Sequence, residues 1–97
     1  MFVITLTYTV PVEEIDVVAP EHIEWLENHK AAGTLLASGR RVPRTGGVIL
    51  APSSMGAEKL AELMTQEPYF RHGLVKYEIV EFAPGTTAPG FELLSGI

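Results

Sequence analysis

The chain has 97 residues, 46% of them hydrophobic and 20% charged, with no cysteine and a formal net charge of -5. That is one domain with a thin core, from which no disulfide, thiolate metal site or cysteine nucleophile can be built; its acidity speaks against nucleic acid as a partner. No apolar run reaches the ~20 residues of a membrane span, and Met1 leads into Phe2-Val3-Ile4 without a basic leader, so a cytoplasmic protein with no membrane partner is expected.

Residues 2 to 10 alternate: Phe2, Ile4, Leu6, Tyr8 and Val10 on one side, Val3, Thr5, Thr7 and Thr9 on the other. This predicts a strand with one strongly apolar face, ended by Pro11. A helix is expected from about Val18 to Ala32, with Pro20 in its first turn, Glu21 and Glu24 at its positive end, Lys30 at its negative end and Gly33 just past it. Val18, His22, Trp25, Leu26 and His29 share one broad face of that helix. Leu35 to Ser38 reads as a short strand, Gly39 to Gly47 as a loop and Val48 to Ala51 as a third strand. Ser53 or Ser54 is placed to cap a second helix running to about Thr65, with Leu60, Leu63 and Met64 as its buried stripe. Pro68 ends it, Tyr69 to His72 form one extra turn, and Val75 to Phe82 is the last strand. The shift in alternation at Ile79-Val80 predicts a bulge or burial on both faces.

The order is βαββαβ, a ferredoxin-like α+β arrangement of an antiparallel sheet with two helices on one face. The low charge of the other sheet face suggests that a partner sheet covers it. Residues 1–83 form the domain, and residues 84–97, with Pro84, Gly85, Pro89 and Gly90, form an extended tail whose Phe91, Leu93 and Leu94 are free to dock.

Little chemistry survives elimination. His22 and His29 stand two helical turns apart, ~10 Å, too far for one ion, so no metal site is expected. Neither a Gly-x-Ser-x-Gly elbow nor a glycine-rich phosphate cradle occurs. Arg40-Arg41-Val42-Pro43-Arg44 holds three of the seven basic residues; it suits a small anion, and equally a solvated surface loop. What remains is a histidine and a carboxylate, His22 and Glu67. If they meet, the carboxylate fixes the imidazole tautomer and frees the other nitrogen for proton transfer; if not, His22 is a core histidine and Glu67 a solvated glutamate. Spacing alone does not decide.

Pro20-Glu21-His22-Ile23-Glu24-Trp25-Leu26, Gly33, Ser38-Gly39, Gly46-Gly47 and Glu67-Pro68-Tyr69-Phe70 followed by Gly73-Leu74 stand in an order that resembles the YciI-like (YCII-related domain) family of dimeric α+β barrels, over residues 2 to about 83. The resemblance implies homodimers or higher homo-oligomers packed through their open sheet faces. It also implies a catalytic histidine and aspartate facing a pocket, positions that match His22 and Glu67, with one methylene more on the carboxylate. A branch of that family eliminates chloride from chlorinated hydroxyquinols, and related barrels act on small cyclic or phenolic compounds. The expectation is therefore a cofactor-independent acid–base enzyme, a dehydrochlorinase-like lyase or an isomerase of aromatic catabolism. Its substrate contacts would come from Ser38, Arg40, Arg41, Tyr69 and Phe70. The alternative is an accessory protein that binds a small ligand or serves dimerisation without catalysis.

Overall fold

A computed structural model describes all residues, 1–97. Its centre is strand β1, Phe2–Tyr8, paired antiparallel with β3 (Gly46–Ala51) on one side and β4 (Val75–Glu81) on the other. β2 (Ala37–Arg40) pairs with the outer edge of β3, so the sheet order is β2-β3-β1-β4. The two-residue period of β1 turns Phe2, Ile4 and Leu6 into the core, where they meet Ile49 and Ala51 of β3 and the buried faces of the helices. The ferredoxin-like α+β reading holds.

The element boundaries differ in instructive ways. β1 stops at Tyr8 rather than Val10, because its neighbours begin at Gly46 and Val75 and Thr9 N–H already bonds the Leu74 carbonyl in the connecting loop. Helix α1 spans Val12–Ala31 rather than starting at Val18: Pro11 is its N-cap, Glu13 and Glu14 fill its first turn, and Pro20 lies in its interior. Fully buried Ile15 anchors the extra turns. Gly33 follows the helix with φ 76°, the left-handed conformation expected there.

β2 is displaced two residues along from the expected Leu35–Ser38, and the loop is shorter than Gly39 to Gly47 because Gly39, Gly46 and Gly47 all belong to strands. Only glycine fits at 46: a Cβ there would lie 1.7 Å from the Leu6 carbonyl oxygen. Ser53 and Ser54 do not cap the second helix. They form a 3₁₀ turn, and α2 (Ala57–Met64) starts after Gly56, whose φ of 82° is open to glycine. Leu60 and Met64 are its buried stripe. The extra turn is a short helix, α3, Pro68–Arg71.

β4 carries no bulge. Its register with β1 is unbroken, Ile79 opposite Ile4 on the core side and Val80 opposite Val3 on the open side, where Val80 is 61% exposed. The tail is irregular to a 3₁₀ turn at Glu92–Leu94, and the Ile97 carbonyl accepts from Ser53 N–H. Phe91 and Leu94 line a shallow groove with Met1 and Phe82 and, like Leu93, remain exposed. No helix is long and apolar enough to cross a membrane.

Candidate active site

α3 is a four-residue helix whose first residue is Pro68, and Glu67 caps it: its Oε1 accepts from Tyr69 N–H at 3.1 Å and its Oε2 from Phe70 N–H at 2.8 Å. These are the orphan amides of a helix N-terminus, so a carboxylate is well suited there. α3 lies against α1, which brings His22 alongside. His22 Nδ1–H donates to Glu67 Oε1 at 2.5 Å. The Glu67 side chain is fully buried and His22 13% exposed. An oxygen already accepting from the Tyr69 amide acts as acceptor toward the imidazole too, so the hydrogen sits on Nδ1. Nε2 makes no hydrogen bond within the protein and is left for the cavity that His22 lines.

Tyr69 supports the imidazole from one side. The two rings stack with centroids 3.8 Å apart and planes 18° from parallel. Tyr8 meets Tyr69 edge-on at 6.3 Å. Burial, then the neighbouring Tyr8 and Glu67, push the Tyr69 phenol up to about 12, against the pull of Arg44 and Arg40. Tyr69 therefore keeps its proton at neutral pH.

The cavity beside His22 holds about 150 Å³ and lies between α1 and the β2–β3 side of the sheet. Leu6, Ile23, Leu26 and Ile49 supply apolar walls; His22, Ser38, Arg40 and Tyr69 supply polar groups. No aspartate or glutamate lines it. Its floor depends on Gly47, which stands between Leu6 and Arg40 in register on the helix side of the sheet and contributes no side chain.

Of the expected site residues, the structure brings together His22, Glu67, Tyr69, Ser38 and Arg40. Arg41 lies just past the end of β2, is not part of the cavity lining, and its Nη1 donates to Thr7 Oγ1 at 3.1 Å. The Phe70 ring packs edge-on against Tyr77, at 4.9 Å, so this residue serves the site through its backbone amide alone. His29 packs on Trp25 and His72 pairs with Glu21, both away from the cavity. Trp25 is partly buried and packs against the core. Tyr8, Gly47 and Lys30 were not singled out as site residues from the sequence. Lys30 approaches Ser38 Oγ at 3.4 Å; its signal was the four-residue spacing from His22 through Leu26 to Lys30. No three potential metal ligands cluster in the chain.

The family model of the YCII-related domain matches residues 1–83. No curated protein matches the chain in sequence. Among solved structures, the chain is similar to a 5-chloro-2-hydroxyhydroquinone dehydrochlorinase from Burkholderia phenoliruptrix AC1100, determined in complex with 2,5-dihydroxybenzoquinone. The TM-score is 0.68 at 14% sequence identity, over 84% of this chain and 93% of that one. The shared property at that identity is the fold.

Proposed function

Since the chain belongs to the YCII-related domain family, we propose that it is a cofactor-independent acid–base enzyme that eliminates a leaving group from, or isomerises, a small oxygenated ring compound in aromatic degradation. The observation that carries this reading is the 2.5 Å contact between His22 Nδ1 and the buried Glu67 carboxylate, with the second ring nitrogen left to a cavity. Glu67 holds the tautomer whose Nε2 lone pair accepts a proton, and it stabilises the imidazolium that results. In an elimination from an aromatic ring, a hydroxyl proton is first returned to the carbon that bears the leaving group, giving the keto tautomer, and Nε2 then takes a proton from a second hydroxyl. The electron pair released forms the new double bond, and the leaving group departs with its own pair, for a net loss of HX. The imidazolium then returns the proton to solvent. In an isomerisation, the same proton is returned to a different carbon.

The cavity supports a monocyclic substrate, because an apolar cavity of about 150 Å³ accommodates one benzene ring. The dehydrochlorinase of similar fold, solved with a dihydroxybenzoquinone, is a further support. The test is chloride release from 5-chloro-2-hydroxyhydroquinone by the purified protein. Turnover by the wild type that falls by roughly 10²–10⁴ in His22→Ala is the expected result. Binding without turnover would replace this reading with that of a non-catalytic ligand-binding protein.

The same reading includes a cytoplasmic homodimer built through the open sheet face. Val3, Leu50 and Val80 align across three strands there, beside Thr5 and Val48. Such a face is better covered by a second sheet than by water. Light scattering is expected to give twice the mass of the chain, and Val80→Lys is expected to give the monomer.

A further inference from the structure

The cavity has a second polar end that the His22–Glu67 pair does not use. His22, Leu26 and Lys30 are spaced by four on α1 and form one stripe, which rises ~12 Å over its eight residues. Across from that stripe, the β2–β3 register sets Ser38 beside Ile49 and Arg40 beside Gly47, and all four line the cavity. Lys30 Nζ donates to Ser38 Oγ at 3.4 Å and is held from its other side by Glu27 at 3.2 Å.

Taking the cavity as the substrate site proposed above, we propose that Ser38 and Arg40, with Lys30 acting through Ser38, form an anion-binding end that takes a carboxylate or phenolate oxygen on the substrate ring. Three features converge on this. First, Arg40 is the one arginine of the chain without a partner: Arg44 pairs with Asp16, Arg71 with Glu21, and Arg41 bonds Thr7. Arg40 lines the cavity at its solvent-exposed rim, in a chain of net charge -5 and with no carboxylate in the lining, so its guanidinium is free to take an anion. Second, the Ser38 hydroxyl accepts from an ammonium, so its own hydrogen is free to donate to a ligand, and a hydroxyl polarised by a cation is the stronger donor. Third, Arg40 lies close enough to Tyr69 across the cavity to favour negative charge at its oxygen, an influence that Tyr8 and Glu67 outweigh at that atom. Lys30 is a positioning residue in this arrangement; Ser38 and Arg40 are the groups that touch the ligand.

The arrangement makes charge, rather than ring size alone, a determinant of what the cavity accepts. Titrating the intact chain with benzoate and with its uncharged isostere benzamide, followed calorimetrically or by NMR, tests it without requiring turnover. Benzoate is expected to bind roughly tenfold more tightly than benzamide, the ratio that one charge-assisted hydrogen bond supplies. Arg40→Gln should abolish that ratio. Lys30→Met should reduce it while leaving benzamide affinity unchanged, and Lys30→Arg should restore it. His22→Ala should leave the ratio intact, which separates this proposal from the acid–base reading: chloride release can fail while the preference for benzoate stands, and the reverse. Equal affinity for the two probes, no detectable benzoate binding, or an undiminished ratio in both Arg40→Gln and Lys30→Met would overturn it.

Discussion

One carboxylate serves three donors in this molecule: Glu67 takes the amides of Tyr69 and Phe70 and the imidazole of His22. Substitutions at 67 should therefore separate stability from activity. Glu67→Ala strands buried donors and removes a helix cap, and chemical denaturation is expected to report a loss of roughly 1–3 kcal/mol. Glu67→Asp keeps a good capping group for α3 but shortens the reach to Nδ1, so unfolding should move little while turnover falls by at least tenfold. Tyr69 sets an alkaline limit. Its phenol ionises near 10 when unfolded and is pushed up to about 12 in the fold. Between those values the unfolded chain loses a proton that the native chain keeps, so stability falls as pH rises through that window, by a few kcal/mol at most. Tyr69→Phe should flatten this part of the pH–stability curve. His22 and Glu67 could each be read from the sequence as candidates. Their meeting could not, because they are 45 positions apart and join through a one-turn helix signalled only by Pro68. Lys30 was legible as a charge suited to a helix C-terminus, which concealed its contact with Ser38.

At the scale of elements, α1 was half legible. The stripe through His22 and Leu26 was visible, but Pro20 reads as a first-turn residue when it is an interior one. Nothing local distinguishes these cases; burial of Ile15, decided by the sheet beneath it, does. Interior Pro20 leaves the Asp16 carbonyl without its helical donor. Pro20→Ala is expected to raise the melting temperature by a few degrees, since helix-interior proline costs up to ~3 kcal/mol relative to alanine. The Gly46-Gly47 pair shows the opposite case: it is plain in the sequence, but its duties are tertiary. Gly46→Ala drives a Cβ into the Leu6 carbonyl and should abolish folding or shift β3. Gly47→Val tests a different property: it places atoms on the cavity floor and is expected to weaken benzoate binding at least tenfold while the far-ultraviolet circular dichroism of the chain stays unchanged.

For the whole molecule, fold class and the order of elements were legible because β1 alternates cleanly and the helices carry apolar stripes. The pairing partners of β1 were not, since nothing in Phe2–Tyr8 itself names β3 and β4. That central position has a consequence for biogenesis. β1 is among the first segments made, yet one of its two hydrogen-bonding edges waits for Val75–Glu81. At ~5–20 residues per second, translation leaves that edge unpaired for several seconds. During this interval Phe2-Val3-Ile4-Thr5-Leu6 is an uncharged, β-prone segment of the kind that associates with its own copies. Soluble yield should therefore depend on how quickly the C-terminal strand emerges, and ribosomes stalled before residue 75 are expected to carry nascent chains that engage chaperones, whereas the released chain should carry a closed sheet.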